Sequence, residues 1–252
     1  MKVVKSPAWL ATVIAHRGAS GEAPENTIAA LTLAADQGAT CVEIDVSISK
    51  DKIPFVHHDD TLDRCTNGSG LLSEYSAISL DQLDASKGMA GYTGEPLPRL
   101  SSVVELLTQR RVGLNLEIKP QTGLESETVD AICNMIESDW PASLPLVFSS
   151  FSRLSLELAK ERLPDVARGL LVEELPEDWQ ALIELYDCRN IHCDGSKLSA
   201  DQSLMLANAG LGVYCYTVND PEAAKALLAN GVHGVFTDYP QLLMKSLQTS
   251  PG

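Results

Sequence analysis

Residues 103–120 read VVELLTQRRVGLNLEIKP, and this stretch decides the fold. Val103, Val104 and Leu107 recur at helical spacing, and the segment runs out at Arg110-Arg111. From Gly113 the period changes to two. Asn115, Glu117 and Lys119 share one side of an extended strand, and Leu116 and Ile118 share the other. Pro120 stops the strand. A helix followed directly by a strand is half of a βαβ unit, and the same unit repeats downstream. Helix 125–138 leads to strand 146–149, helix 152–162 to strand 169–172, and helix 177–187 to strand 190–193. Helix 200–209 leads to strand 212–217, helix 221–229 to strand 234–237, and a last helix follows Pro240.

Upstream, residues 11–15 form a buried-type strand that ends at His16-Arg17-Gly18. A helix over 28–37 follows, with Asn26 or Thr27 at its cap and Gly38 at its exit. The next strand opens CVEIDVSI at Cys41. Glu43, Asp45 and Ser47 lie on one face and Ile44, Val46 and Ile48 on the other. Lys50-Asp51 reads as a tight turn and residues 53–56 as a return strand, so Glu43 and Asp45 come opposite roughly residues 57–59. Eight strands alternate with helices once the return arm is set aside. That order predicts one closed (β/α)₈ TIM-type barrel over 1–252, with an open doubly wound sheet as the alternative. Residues 60–100, dense in Gly, Ser and turn residues, break the regularity after the second strand. The segment reads as a small functional insertion or lid with one short helix over 79–85.

Composition narrows the function. A chain of 252 residues with 44% hydrophobic and 21% charged residues can bury a sizeable core. A net charge of −15 argues against nucleic acid and anionic membrane as partners. Cys41, Cys65, Cys133, Cys188, Cys193 and Cys215 show no metal-ligand spacing and read as reduced, mostly buried thiols. The start, MKVVKSPAWLATVIAHRG, carries no secretory pattern, and no run approaches the ~18 apolar residues of a span. The expectation is a soluble, cytoplasmic protein.

In a barrel of this kind, reactive groups sit at the carboxyl ends of the strands. Polar residues end three consecutive strands here: His16 and Arg17, then Glu43 and Asp45, then Glu117 and Lys119. Paired carboxylates on one strand face repel unless a positive charge lies between them. Glu43, Asp45 and Glu117 together make an oxygen cage for one divalent cation, Mg²⁺ or Ca²⁺. The blander readings are a solvated hairpin edge and a Glu117–Lys119 ion pair. His16 and His58 are the candidates for proton transfer, although spacing alone does not separate His58 from His57. Arg17 and Lys119 are the anion clamps. Phe151 and Tyr216 are placed to wall the site. His192, inside a strand, and His233, before one, read as structural or solvent-exposed. A cation, two imidazoles, Arg and Lys suit displacement at phosphorus.

AHRGASGEAPENT, the E-x-D of VEIDVSISKD, HHDDTLDRCTNGSG and LEIKP resemble the signatures of the glycerophosphodiester phosphodiesterase family. SSF, YTVND and VFTDYP extend the resemblance over nearly the whole chain. It implies a TIM-type barrel, one divalent cation, and hydrolysis of small glycerophosphodiesters to an alcohol and sn-glycerol 3-phosphate. It assigns the metal to Glu43, Asp45 and Glu117 and acid–base work to His16 and His58, choosing His58 over His57. It puts Arg17 and Lys119 on the phosphate and the 60–100 insertion over the glycerol side. Tyr216 stands where many relatives carry Trp, and Lys52 where the hairpin turn often has Gly. The rival readings are a cyclising lyase, a phosphodiesterase acting on lysophospholipids, and a non-catalytic barrel that binds phosphorylated metabolites.

Overall fold

The computed structural model describes residues 10–248. The reading of the chain start as free of an export signal falls partly on residues 1–9, outside the described residues. Among the described residues nine strands are present: β1 (Val13–His16), β2 (Cys41–Ile48), β3 (Pro54–Val56), β4 (Gly113–Ile118), β5 (Leu146–Ser150), β6 (Ala167–Val172), β7 (Asn190–Asp194), β8 (Gly212–Tyr216) and β9 (Gly234–Thr237). Between and around them lie α1 (Ile28–Asp36), α2 (Ala77–Leu80), α3 (Leu100–Arg110), α4 (Glu125–Asp139) and α5 (Arg153–Arg162). The second half carries α6 (Trp179–Leu185), α7 (Ala200–Asn208), α8 (Pro221–Ala229) and α9 (Pro240–Gln248).

Strand β1 pairs in parallel with both β2 (His16↔Glu43) and β9 (Ala15↔Thr237). The sheet therefore closes on itself, and the open-sheet alternative is excluded. Eight parallel strands form the barrel wall. Strand β3 is an antiparallel addition at the carboxyl end of β2, in the register Val46↔Val56, Ser47↔Phe55 and Ile48↔Pro54. The architecture is a TIM barrel with an insertion after its second wall strand.

Side-chain alternation explains why β2 can carry acids. Its outward residues Val42, Ile44 and Val46 are fully buried among Leu31 of α1 and Leu107 of α3. Each such side chain contributes roughly 1.5–3 kcal/mol on burial. That stabilisation holds in place a strand whose inward face buries Glu43 and Asp45. Below the acids the barrel interior is filled by Ile14, Cys41, Val147, Ala167, Tyr214 and Phe236.

The segment after β3 builds its own small core from Phe55, Leu62, Leu72, Ala77, Leu80 and Leu97. The Arg99 guanidinium lies over the Phe55 ring at 5.6 Å. The expected helix over 79–85 is displaced: α2 covers Ala77–Leu80 instead. The cause is its cap. The Ser79 N–H donates to Ser76 Oγ at 3.3 Å and the Ala77 N–H to Asp51 Oδ1 at 2.8 Å. Both first-turn donors are satisfied two residues earlier than the apolar pattern indicated. In the hairpin turn Lys52 adopts a left-handed φ of 65°. That region disfavours a Cβ and suits glycine, so Lys52 carries local strain there. No helix of the described residues is long and apolar enough to cross a membrane.

All six cysteines are free and buried. Burial pushes Cys41, Cys65, Cys188, Cys193 and Cys215 up to about 12 and Cys133 to about 11. A thiol held protonated is a poor nucleophile. Ellman's reagent at pH 8 is therefore expected to label the native protein slowly and six thiols rapidly in denaturant. Fast labelling of two or more native thiols contradicts this packing.

Candidate active site

The carboxyl ends of β1, β2 and β4 lie side by side, and their registers align the polar residues. His16 is the Cα partner of Glu43, and Asp45 of Glu117. A carboxylate oxygen from each of Glu43, Asp45 and Glu117 falls within 4.8 Å of the others. This is the group of three or more metal-capable side chains found among the described residues. All the donors are oxygens, which suits a hard divalent cation.

The electrostatics agree with that fit. Burial pushes the Glu43 carboxyl well above the usual carboxylate range, and Asp45 and Glu117 push it further. Burial, then repulsion from Asp45, raises Glu117 to about 8. Asp45 is driven up by burial, but Arg17, His58 and Lys119 outweigh this and hold it below its ordinary value. Two of the three acids thus sit in a site whose protein cations do not balance them.

The loop after β1 is built around Arg17 and Asn26, both at positive φ, 55° and 58°. Gly18 follows at φ 84°, where a Cβ would lie 2.6 Å from the Ala30 carbonyl carbon in α1. The tight turn brings the Arg17 N–H onto Glu43 Oε2 at 3.0 Å and Arg17 Nε within 3.1 Å of Asp45 Oδ2. Asn26 Nδ2 donates to Asp45 Oδ2 at 2.8 Å, and the Asp45 N–H donates back to Asn26 Oδ1 at 3.3 Å. Thr27 takes the α1 cap. Asn26 is left free to orient an acid. Glu25 anchors the other side, accepting from Arg17 Nη1 at 2.7 Å and from Arg64 at 2.6 Å.

His16, Arg17, Glu43, His58 and Glu117 line one cavity of about 280 Å³, with Phe151 and Tyr216 on its wall. The two aromatic rings meet edge to face at 6.0 Å. Lys119 lies 3.3 Å from Glu117 and 3.9 Å from Asp45, and it lines an adjoining recess rather than this cavity. The structure separates the two neighbouring histidines. Cross-strand register sets His57 opposite Asp45, with the His57 N–H donating to the Asp45 carbonyl at 2.9 Å. Yet β3 ends at Val56. The His57 ring is buried against the Thr61 carbonyl at 2.9 Å, and His58 turns into the cavity. Burial lowers the His58 imidazole, against the pull of Asp45.

Four partners escaped the sequence reading. His16 Nδ1 is 2.7 Å from Asp238 Oδ1, and His58 Nδ1 is 2.6 Å from Asp59 Oδ1. Asp238 is in turn held by Asn219 Nδ2 at 2.7 Å and Ser20 Oγ at 2.9 Å. Asp59, Asn219 and Asp238 all fall within HHDD, YTVND and VFTDYP, so the motifs contained them without revealing what each one holds.

Burial pushes Asp238 up, but hydrogen bonds from His16 and Asn219 outweigh it and hold the carboxyl at about 2. Its folded value lies below its ordinary 3.8, so its stabilisation is complete above about pH 4 and lost toward pH 2. Asp238→Asn is expected to cost on the order of 1 kcal/mol at pH 7 after solvent screening. The gap in melting temperature between wild type and variant narrows as pH falls below 4. A gap that widens on acidification contradicts this network.

A sequence profile of the glycerophosphoryl diester phosphodiesterase family matches residues 16–242. The chain is 32% identical over 238 residues to a glycerophosphodiester phosphodiesterase of Caldanaerobacter subterraneus subsp. tengcongensis, covering 92% of this chain and 96% of that protein. It is 30% identical over 249 residues to one from Bacillus altitudinis, with the same coverages of 92% and 96%. Among solved structures, an Oleispira antarctica phosphodiesterase in complex with the product sn-glycerol-3-phosphate superposes with a TM-score of 0.93 at 43% identity, over 96% of this chain and 98% of that one. With the profile spanning most of its length, this chain belongs to the glycerophosphoryl diester phosphodiesterase family.

Proposed function

We propose that this protein hydrolyses small glycerophosphodiesters to an alcohol and sn-glycerol 3-phosphate. The observation that carries the reading is the trio of acids within 4.8 Å, flanked by two imidazoles that are each held at Nδ1 by a carboxylate. Glu43, Asp45 and Glu117 would hold one Mg²⁺ or Ca²⁺. When bound, such a cation draws charge from the non-bridging phosphoryl oxygens.

The chain's own residues do the rest. Arg17 binds the phosphodiester from within the cavity, and Lys119 reaches it from the adjoining recess. Asp238 and Asp59 each accept from an Nδ1–H, which leaves Nε2 of His16 and of His58 as the proton-transfer atom. One Nε2 takes a proton from the attacking hydroxyl: water yields sn-glycerol 3-phosphate directly, whereas the glycerol 2-hydroxyl yields a cyclic phosphate that a water then opens to the same product. The other gives a proton to the departing alkoxide. Phe151 and Tyr216 wall the alcohol side, and the segment 60–100 covers the glycerol side of a single catalytic domain. The buried thiols suit a reducing, cytoplasmic compartment.

A panel of glycerophospho-alcohols assayed for glycerol 3-phosphate release tests this reading. Wild type is expected to turn over several of them in Mg²⁺ or Ca²⁺ and none in EDTA. His16→Ala and His58→Ala should each lose roughly 10²–10⁴-fold in kcat, as befits general acid–base groups. Near-normal turnover in both variants, or activity indifferent to the chelator, contradicts it.

A further inference from the structure

His192 has no part in this chemistry, yet it lines the same cavity. It sits on β7, fully buried, and neither ring nitrogen has a hydrogen-bond partner among the described residues. Asn115, on β4 across the barrel, is 1% exposed. Its Nδ2 donates to Ser149 Oγ at 2.9 Å, while its Oδ1 is unpartnered among the described residues. Unsatisfied buried polar atoms are rare because each forfeits its water without compensation. His192 and Asn115 both border this cavity, and three such atoms beside it call for an occupant.

The imidazole is firmly seated. Its ring packs 5.1 Å from Phe236 and 5.5 Å from Tyr214. Gly169 on β6 makes the room: a Cβ there would lie 2.7 Å from Nε2 and 2.8 Å from Cε1. Burial with no counter-charge holds the ring neutral, its value lowered to about 3. A neutral imidazole offers one N–H donor and one lone pair, and Asn115 Oδ1 adds an acceptor. A phosphate oxygen only accepts and an ammonium only donates. A hydroxyl does both, so of these three groups it alone satisfies donor and acceptor together.

We propose that His192 and Asn115 form a hydroxyl-recognition subsite at the floor of the cavity, taking a free hydroxyl of the substrate. The source is either the glycerol or a polyol headgroup. The inference rests on the phosphodiesterase reading and deepens it. His192 is then a specificity-determining residue rather than an acid or base.

Two matched pairs of diesters separate the sources. In the first, the glycerol is replaced by propane-1,2-diol esterified at its primary hydroxyl, which keeps the 2-hydroxyl and removes the terminal one, with the headgroup unchanged. In the second, a glycerol headgroup is replaced by a propyl group. Wild type should prefer the hydroxylated member of one pair by about tenfold or more in kcat/KM, the worth of one good hydrogen bond. The pair affected names the source. His192→Phe keeps the ring volume and removes both nitrogens. It should reduce the preference to within about twofold while turning over the deoxygenated substrate at near wild-type rate. His192→Gln restores a donor and an acceptor and should recover most of the preference. A preference unchanged in His192→Phe, or absent from wild type in both pairs, overturns the subsite while leaving the hydrolase reading intact. No hydrolysis of any of the four diesters by wild type overturns both. Should His192→Phe fail to fold by circular dichroism, the wild-type ratios and His192→Gln decide. No preference in wild type, or a preference in His192→Gln that falls to within about twofold, counts against the subsite.

Discussion

Three carboxylates share a buried corner of one barrel rim, and like charges so placed repel. Everything around the site answers that constraint. Glu43 and Asp45 are two residues apart on β2, and Glu117 is the Cα partner of Asp45 on β4, so the wall of the barrel itself forces them together. Their burial raises Glu43 and Glu117 above the ordinary carboxylate range. Such an arrangement persists only because the outward faces of the same strands are buried against helices. The fold supplies the stability that the site consumes.

Partners for the acids then arrive by local chain geometry rather than by sequence distance. The left-handed turn at Arg17 and Gly18 places a backbone N–H on Glu43 and a guanidinium beside Asp45. Asn26, one residue before the α1 cap, grips both the carboxylate and the backbone of Asp45. The hairpin does the same for His58. By ending β3 at Val56 it abandons strand alternation, so the residue in register with Asp45 is buried and its neighbour enters the cavity.

This pattern sets what the sequence revealed. Period-two alternation over 41–48 and 113–119 disclosed which carboxylates share a face, because a strand leaves side chains no other choice. Repeated helix–strand order disclosed the barrel. Choosing between His57 and His58 depended on where a three-residue strand stops, and hydrophobic pattern does not encode that. Asp238 pairs with His16 across 222 residues, a contact that exists only once β9 closes on β1. His192 looked structural because a histidine inside a strand usually is. Its two nitrogens, unpartnered among the described residues, emerge only when the interior of the closed barrel is seen. The short helix moved to Ala77 because a side chain from the distant hairpin, Asp51, satisfies its first donor.

The central claim is that the acid trio is a single-cation site whose protonation is relieved by that cation. Calorimetric titration of wild type with Mg²⁺ and with Ca²⁺ at pH 7, repeated in two buffers of different ionisation enthalpy, measures this directly. The account predicts one ion per chain with net proton release, and loss of that binding in Glu117→Gln. Binding without proton release, or undiminished in Glu117→Gln, contradicts it.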